Sequence, residues 1–587
     1  MKLIKTAIDF VDNDQDVVLL GDWCLKDHAD ILRSIDKYNK VPYHWDDREK
    51  YARDYGYLTE VYEENLSQLC QLLNTIHSTD YNLSYWRIVI GPWLRYFTDA
   101  LFDRYECIKS AVSLGVITET TVTSYDLNDV CPADFSEFWN DFTTDEWNEI
   151  VFSECLKYLN IPWRFIDENL FTGTRCQSNK LNLKIFVKQK IGSLLNIYSK
   201  FIFKLRSGPV IVGAYAPFSK ITKLNLRLKT LPYFFKPKIN FSSSERDFFL
   251  RKKLSVKEVS SQEFEGLLAG LIPLFIPKCY LEDFRKLEKN ALKTLPKNPM
   301  SILTANSYQA DEVFKVWAAK HVSQGVPLVI GQHGGTFGMA SINQSEEHQI
   351  KIATKYSAWG WADGKSSKVI DLPSIQLSGR KRISSDSSSN LAILHVMSSL
   401  PRYFYQYFSM PVAGQFLFYM KNQISFIGAL DRDLRDNVKI RLDLSSVSQG
   451  WNIPKILAVA GYDKLIEHSK DPILSLLHDV RLCVCTHNAT VFIETLSLNF
   501  PTIIFWEPSH HEIRPEAVPF FEILEDAEIL FYTPEGAAKK VNNISNDIDE
   551  WWSSDQVQSA RKEFCQRYAG VSNDWAHEWS DFLLKLK

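Results

Sequence analysis

A glycine-rich loop with a central histidine is the segment of this sequence best suited to chemistry. It reads Gly331-Gln332-His333-Gly334-Gly335-Thr336-Phe337-Gly338 and directly follows the apolar run Pro327–Ile330. Glycines let the backbone approach a ligand closely and leave main-chain N–H groups free to face an anion. A histidine there can take a proton from an acceptor hydroxyl or bind phosphate, and we predict that His333 is catalytic. The predicted phosphate-loop positions are Gly331, Gln332, Gly334 and Gly335.

A second polar segment, Thr486–Thr495 (THNATVFIET), joins an apolar run to a predicted helix. Hydroxyl and amide side chains can cap such a helix, and its free N–H groups bind anions. Glu494 lies one turn into the helix, where a carboxylate can bind ribose hydroxyls. The alternative is an ordinary capped helix in which Glu494 complements the helix dipole. The predicted donor-binding residues in this segment are Thr486, Asn488, Thr490 and Glu494.

Three weaker candidates complete the set. Ser398 and Arg402 follow the apolar run Leu391–Met397 and suit a phosphate, although Pro401 at the start of a helix explains the same residues structurally. Glu347, in Glu346-Glu347-His348, is predicted as an acidic partner in acid–base chemistry. Charged and aromatic residues near the N-terminus suit an acceptor face or the packed ends of helices. The acceptor-side candidates are Asp22, Trp23, Trp86 and Arg87.

The elements that must position these loops follow from the apolar runs. Val17–Leu20, Val210–Val212, Pro327–Ile330 and Leu391–Met397 each end in glycine or a small polar residue, as strands of parallel sheets do. Residues from about 46 to 205 carry Trp and Tyr at helical spacing and are predicted to be a helical insertion. A βαβ rhythm follows residue 350. We therefore predict an α/β protein with two Rossmann-like lobes and ligands at the carboxyl ends of their strands.

The predicted boundaries divide the chain into four parts. Residues 1–350 form an N-terminal acceptor-side lobe, and 351–390 form a strand and a linker. Residues 391–552 form a C-terminal nucleotide-sugar-binding lobe, and 553–587 form a C-terminal helix. The stretch 364–390 is polar and broken by serine and glycine, which is typical of a hinge.

Composition excludes several classes of protein. The net charge of the 587 residues is −4, which gives no electrostatic basis for nucleic-acid binding. None of the ten cysteines forms a CxxC pair, and Cys483 and Cys485 share one face of a predicted strand, which indicates core thiols in a reducing compartment. With no signal peptide and no apolar run of about 20 residues, we expect a cytoplasmic protein. The basic, aromatic stretches Lys200–Arg206 and Leu226–Lys238 leave peripheral membrane contact open, with solvated basic faces as the alternative.

Together these segments resemble a known family. GDWCL (21–25), YHWDDREK (43–50), WRIVIGPWL (86–94), GQHGGTFG (331–338) and HNATVFIETL (487–496) look like those of bacterial transferases associated with O-antigen and other surface-glycan gene clusters. The resemblance covers residues from about 17 to 570. The histidine loop and the strand–Thr–helix–Glu segment are also similar to those of GT-B glycosyltransferases.

The resemblance implies a glycosyltransferase that moves a sugar from a nucleotide-activated donor to a surface polysaccharide or related glycan. It implies His333 on the acceptor side and Thr486, Asn488, Thr490 and Glu494 at the donor nucleotide. The chain has no clear DxD motif at the end of a predicted strand, so we expect no cofactor and no metal ion. Two alternatives stay open: a CDP-polyol phosphotransferase on the same scaffold, and a non-catalytic nucleotide or glycan binder.

Overall fold

The computed structural model is built on three parallel five-stranded sheets. We call them the first, second and third sheets, in chain order. The structure describes residues 1–9, 16–26, 28, 30–34, 36–126, 130–169, 208–230, 232, 241, 245–254, 263–380, 392–443 and 450–586.

The first sheet has the strand order β3-β2-β1-β4-β5. Its strands are β1 (Lys2–Ile4), β2 (Val17–Leu19), β3 (Asn39–Lys40), β4 (Glu119–Ser124) and β5 (Arg164–Asn169). Its helices are α1 (Ile31–Ser34), α2 (Arg48–His77), α3 (Leu83–Val89), α4 (Gly91–Ser113), α5 (Phe135–Asp141) and α6 (Asp145–Tyr158). The chain builds the sheet first to one side of β1 and then to the other. This creates a topological switch point between β1 and β4, the position at which open α/β sheets bind ligands.

The predicted helical insertion is correct in part. The long helices α2, α3 and α4 lie where helices were expected, but β4 and β5 are strands within the same range. The prediction is wrong there because β4 (ETTVTS) is polar, yet its four central residues are buried. Threonine is β-branched and suits a pleated strand, although its hydroxyl hides the apolar signal. Residues 170–205, including Lys200–Arg206, lie outside the described residues.

The second sheet runs in simple sequence, β10-β9-β8-β7-β6. Its strands are β6 (Gly208–Ile211), β7 (Pro299–Thr304), β8 (Leu328–Gly331), β9 (Lys355–Ala358) and β10 (Val369–Asp371). Its helices are α7 (Phe218–Arg227), α8 (Phe248–Lys252), α9 (Phe264–Phe275), α10 (Phe284–Thr294), α11 (Ser307–Ala310), α12 (Glu312–Val322) and α13 (Gln344–Ile352). The predicted hinge at 364–390 is wrong for the residues of β10, because they form a strand that pairs with β9. Residues 381–390 lie outside the described ranges.

The third sheet has the order β12-β11-β13-β14-β15. Its strands are β11 (Ile393–Val396), β12 (Val438–Arg441), β13 (Leu482–Cys485), β14 (Thr502–Phe505) and β15 (Leu530–Phe531). The helices after β11 are α14 (Gln415–Ala429), α15 (Arg432–Arg435), α16 (Ile453–Val459), α17 (Ile473–Leu476), α18 (Thr490–Ser497), α19 (Val518–Asp526), α20 (Pro534–Ile544), α21 (Ile548–Ser553), α22 (Asp555–Tyr568) and α23 (Trp575–Lys585). In this sheet β12 is added on one side of β11, and β13, β14 and β15 are added on the other side. The topological switch point therefore lies between β11 and β13.

The predicted two-lobed α/β architecture is present in the second and third sheets, and the first sheet is an addition to it. The final helix α23 returns to the second sheet. Its Trp579 and Leu583 pack with Ile211 and Val329 in a separate apolar cluster. The Trp579 indole also donates a hydrogen bond of 2.8 Å to the carbonyl of Pro373. Among the helices that the structure describes, none combines the length and apolar character needed to cross a bilayer.

Candidate active site

The two glycine- and threonine-containing loops predicted to carry chemistry meet in the structure. The Gly335 N–H, after β8, donates a 3.0 Å hydrogen bond to Oγ1 of Thr490, the first residue of α18. A Cβ atom at Gly335 would lie only 2.3 Å from the carbonyl carbon of Ala489. Glycine is therefore required for this approach between the second and third sheets. The two motifs form one site in the cleft between these sheets.

Gln332 and Gly338 hold the histidine loop in shape. The Gln332 side chain donates to the carbonyl of Gly334 at 2.9 Å and accepts from the Trp361 indole at 2.7 Å. Gly338 has a φ of 76°, and a side chain there would collide with the ring of Trp361. Gln332 thus supports the loop through its own bonds. Gly331 lines a cavity at the ends of β6, β7, β8 and β9.

His333 presents a neutral imidazole beside this cavity. Its ring centroid lies 5.1 Å from that of Phe337 and 5.8 Å from that of Tyr215. Burial lowers the pKa of His333 to about 4. Its Nδ1 atom is buried and has no hydrogen-bond partner in the described part of the chain. Tyr215 has a φ of 46° although it is not glycine, and a left-handed backbone at such a residue is typical of functional sites.

Glu346, the neighbour of the predicted Glu347, is the acid that faces the histidine loop. Glu346 accepts from the Gly338 N–H at 2.6 Å and from Arg514 at 2.9 Å. Glu347 instead accepts from the Tyr55 hydroxyl of α2 and pairs with Lys351 at 2.6 Å. Successive residues of a helix point about 100° apart. Glu346 therefore faces the histidine loop, whereas Glu347 faces α2. The predicted partnership of Glu347 with His333 is therefore corrected: Glu347 binds α2.

The switch point of the third sheet opens into a pocket. Val396 of β11 pairs in register with Cys485 of β13, which places the loops after both strands side by side. The pocket has a volume of about 530 Å³, and its lining includes Ser398, Arg441 and His487. This is the size of a small-molecule site at the position expected for an open α/β sheet.

Two of the predicted donor residues here have contrasting surroundings. The Thr486 hydroxyl donates to the carbonyl of Val396 at 2.9 Å and lies 2.6 Å from the Tyr419 hydroxyl, so it joins β13 to β11. Asn488 is fully buried, yet neither of its amide atoms has a partner among the described residues. Buried polar groups are almost always hydrogen-bonded, because leaving one unpaired costs about 1–3 kcal/mol. Asn488 therefore stays a candidate binding residue at this edge of the sheet.

Glu494 lies in α18 at the boundary with the second sheet. Its Oε1 accepts from Gln376 at 2.8 Å and from Arg380 at 3.2 Å. No donor from the described residues reaches Oε2. Glu494 is therefore a buried carboxylate whose Oε1 is fixed by two side chains from the second sheet's side of the cleft.

Arg402, predicted at the donor phosphate, has a structural role instead. Its guanidinium is buried, pairs with Asp145 at 2.6 Å and donates to the carbonyl of Trp23 at 2.8 Å. These partners belong to the first sheet's domain, so Arg402 joins that domain to the third sheet. The sequence predicted a phosphate ligand because Asp145 is distant along the chain and could not be identified as the partner.

The predicted acceptor-side residues are likewise part of the packing. Trp23 and Trp86 are 1% and 0% exposed, and Arg87 forms a bidentate pair with Glu63. Asp22 pairs with Lys40 at 3.0 Å, and burial raises its pKa. These four residues are therefore engaged within the first domain, and the acceptor-face prediction is corrected for them.

Sequence reasoning missed several residues at the third sheet's edge. His487 lines the pocket, and burial lowers its pKa to about 4. The pair His510-His511 follows β14, beside β13. Adjacent histidines after a strand were the available signal.

In the described ranges, the residues close enough together to hold a metal ion are His44, Asp103 and Cys107. They lie in the first domain, where Asp103 already binds Tyr43 and Arg104.

Comparison with known proteins identifies the class. A family model described as LIC12162 family transferase matches residues 1–583. The chain therefore belongs to this family of transferases. No curated protein matches it.

Several solved structures are partly similar. MurG of Acinetobacter baumannii is 15% identical over 52% of this chain and 80% of that one, with a TM-score of 0.30. Anabaena HepE (Alr3699) in complex with UDP and glucose is 12% identical over 55% and 89%, with a TM-score of 0.34. WaaG, a glycosyltransferase involved in lipopolysaccharide biosynthesis, is 10% identical over 52% and 95%, with a TM-score of 0.27. Because these scores are low, the description of the fold rests on the strand orders given above.

Proposed function

We propose that this transferase is a glycosyltransferase that moves a sugar from a nucleotide-activated donor to a surface polysaccharide or a related glycan. The observation that carries the proposal is the contact between the His333 loop and the first turn of α18. It brings a base and an anion-binding helix terminus together in one cleft. The resemblance to surface-glycan transferases supports the choice of acceptor.

The third sheet supplies the donor side of the proposed site. No side chain caps α18 at Ala489, so main-chain N–H groups of its first turn remain for a phosphate. The pocket at the switch point has room for a nucleoside. Glu494, with one oxygen left for a ligand, suits the ribose hydroxyls, and Asn488 supplies amide atoms that need partners.

The second sheet supplies the acceptor side. In the proposed step, His333 takes the proton of an acceptor hydroxyl while that oxygen attacks the anomeric carbon of the donor. The bond between this carbon and the phosphate oxygen breaks, and the nucleotide leaves with the electron pair. The helix dipole and N–H groups of α18 stabilise the departing phosphate, so the proposed reaction needs no metal ion. The donor's negative charge would raise the pKa of His333 and make it a stronger base.

A nucleotide panel tests this proposal. CMP, CDP, UDP and GDP are each added to the purified protein, and the melting temperature is measured. We expect one nucleotide to stabilise the protein, by about 2.7 kcal/mol at a concentration of about 100 Kd. Glu494→Gln should weaken that effect, whereas Glu522→Gln, on an exposed residue of α19, should not.

Turnover is then measured with sugar esters of the nucleotide that binds. His333→Ala should bind the nucleotide normally but lose transfer by about 10²–10⁴-fold, because the general base is absent. Failure of every nucleotide to bind would contradict the proposal. Transfer of a phospho-polyol from a CDP-linked donor would instead establish the phosphotransferase alternative.

A further inference from the structure

A small cavity between the first domain and the second sheet's domain is lined by polar side chains. Tyr62 of α2 and Arg95 of α4 bound it on one side, and α13 bounds it on the other. The lining residues of α13 are Gln344, Glu347, His348 and Lys351. The volume of this space, which we call the α13 cavity, is about 20 Å³. Since one water molecule needs about 10–15 Å³, the cavity is too small for a nucleotide, a phosphate or a sugar.

Four of the lining residues have a buried polar atom without a hydrogen-bond partner in the described part of the chain. The atoms are Tyr62 Oη, Arg95 Nη2, Gln344 Nε2 and His348 Nε2. Tyr62, Arg95 and Gln344 are 3%, 6% and 4% exposed. Buried polar groups are almost always hydrogen-bonded, so four such atoms around one small space point to a ligand there.

Three of these side chains converge at the start of α4. Gly91 is the first residue of this helix, and a Cβ atom there would lie 2.8 Å from Tyr62 Oη and 3.1 Å from His348 Cε1. Arg95 follows one turn later, and its Cζ lies 5.9 Å from the ring centroid of Tyr62. The hydroxyl, the imidazole and the guanidinium are therefore neighbours.

Two of the unpaired groups are held in orientation by their other bonds. Arg95 Nε donates to Asp99 at 2.8 Å, and its Nη1 donates to the Thr59 hydroxyl at 2.9 Å. The side-chain oxygen of Gln344 accepts from the Tyr407 N–H at 2.7 Å, which assigns the other end of the amide as Nε2. Arg95 Nη2 and Gln344 Nε2 can therefore only donate.

The charges that act most strongly on His348 are positive. Burial lowers the pKa of His348 to about 3, and four cations lower it further. These cations are Arg87, Lys315, Lys351 and Arg95. The nearby acids are paired or close to neutral: Lys351 binds Glu347 at 2.6 Å and Glu63 at 2.9 Å. Burial raises the pKa of Asp99, the partner of Arg95, to about 7.

The donors and the charges together select an anion. Tyr62 Oη and His348 Nε2 can each donate one hydrogen, in addition to the two atoms that can only donate. A monatomic anion accepts from all four. A water molecule also fits by size, but it gains less from the surrounding cations, because hydrogen bonds to a charged acceptor are the stronger ones.

We propose that a halide ion, chloride under ordinary conditions, binds in the α13 cavity and joins the first domain to the second sheet's domain. The inference is independent of the proposed glycosyl transfer. The same helix carries Glu346, whose carboxylate accepts from the Gly338 N–H of the histidine loop. The ion would therefore help to hold the helix from which Glu346 supports that loop.

A halide titration tests the site. The full chain is placed in potassium gluconate, whose anion is too large for the cavity, and gluconate is replaced stepwise by chloride or bromide at constant ionic strength. We expect a saturable rise in melting temperature of about 1–2 °C, because a ligand bound only by the folded state stabilises it. A response that does not saturate by about 0.2 M halide would overturn the inference.

Two variants each remove one donor. Tyr62→Phe keeps the ring, and we expect the half-saturating halide concentration to rise about tenfold. Gln344→Glu keeps an acceptor for the Tyr407 N–H but replaces the donor with oxygen, and it should abolish the halide response. The matched controls are Tyr532→Phe, directly after β15, and Gln423→Glu, in α14. Both controls should retain the wild-type halide response, even where the melting temperature itself falls. An unchanged response in Tyr62→Phe and Gln344→Glu would contradict the site.

Crystals grown from bromide locate the ion directly. An anomalous peak bounded by Tyr62 Oη, Arg95 Nη2 and His348 Nε2 supports the inference. A water molecule at this position, with no anomalous signal, would show a hydrated cavity and overturn it. If Gln344→Glu does not fold, Tyr62→Phe and the bromide peak decide.

Discussion

The first and third sheets each have a switch point, and the polar groups at the two points differ in one respect. Between β1 and β4, Lys5 Nζ binds Asp9 at 3.0 Å, Glu149 at 2.5 Å and the Thr121 hydroxyl at 2.7 Å. Lys5 is fully buried, and its positive charge is paired with two carboxylates of the protein itself. At the third sheet, Asn488 is equally buried but has no partner among the described residues.

The difference shows that position in an α/β sheet is not sufficient to define a ligand site. Both switch points satisfy the topological rule. At the first sheet the protein has filled the position with its own ion pairs, which serve stability. At the third sheet the buried amide of Asn488 has no partner among the described residues, and this supports our proposal of the donor site there.

The largest expected effect on stability comes from breaking the Lys5 ion pairs at the switch point of the first sheet. Lys5→Met leaves Asp9 and Glu149 buried without their cation, and we expect a loss of about 3–5 kcal/mol in the free energy of unfolding. Urea denaturation measures it. Lys109→Met, which breaks an exposed pair with Glu106, should cost less than about 1 kcal/mol. Equal effects of the two variants would contradict a structural role for the Lys5 cluster.

The next largest effect concerns the contact between Gly335, in the loop after β8, and the start of α18 in the third sheet's domain. Gly335→Ala places a Cβ against the backbone of Ala489, and we expect a loss of about 1–3 kcal/mol together with reduced transfer activity. Gly56→Ala, in α2 with open space around it, should instead stabilise by about 0.5–1 kcal/mol. Thermal melts of both variants check the opposite signs. Full activity in Gly335→Ala would disprove the functional contact.

Acid should destabilise the protein in part through His487, which lines the pocket of the third sheet. The pKa of His487 is lowered to about 4 in the folded protein, against about 6.5 for an ordinary histidine. Its stabilising contribution is therefore complete above pH 6.5 and is lost as the pH falls toward 4, by about 1.4 kcal/mol per pH unit. His487→Asn should reduce the slope of the unfolding free energy against pH by about 1.4 kcal/mol per pH unit in this window, while other buried histidines such as His333 keep their contributions. His577→Asn, on an exposed residue, should leave it unchanged.

The smallest effect has the opposite sign. Asn488→Leu removes an unpaired buried amide, so we expect a gain of about 1 kcal/mol in the free energy of unfolding and a loss of nucleotide binding. Denaturation and thermal shift measure the two quantities on the same sample. A destabilised variant that still binds nucleotide would show that Asn488 is structural.

The sequence predicts the loops better than it predicts their partners. Pro327–Ile330 and the strand before Thr486 are short, apolar and followed by glycine or threonine, so local pattern alone locates them. The strand β11 of the third sheet is located by the run Leu391–Met397 for the same reason. In the first sheet only β2 is predicted, as the run Val17–Leu20, whereas β4 is missed because it is threonine-rich and β1 because it has three residues.

Roles that depend on distant residues could not be predicted. Arg402 resembles a phosphate ligand until Asp145 is brought beside it by the fold. Glu346 and Glu347 differ by one helical step, and only the packing of α13 shows which of them faces the loop. Asn488 is a candidate in the sequence because of its position before a helix. Its unpaired amide became evident only in three dimensions.

The first domain contacts both other parts of the molecule, which bears on how substrates enter. It binds the third sheet through Asp145 and Arg402, and it reaches the second sheet's domain where His77 meets the carbonyl of Tyr280 at 3.0 Å. A wide opening of the cleft would have to break the contacts of the first domain with both of these parts. Substrates should therefore exchange through local loop movements, and a cross-link between the two lobes should slow turnover only slightly.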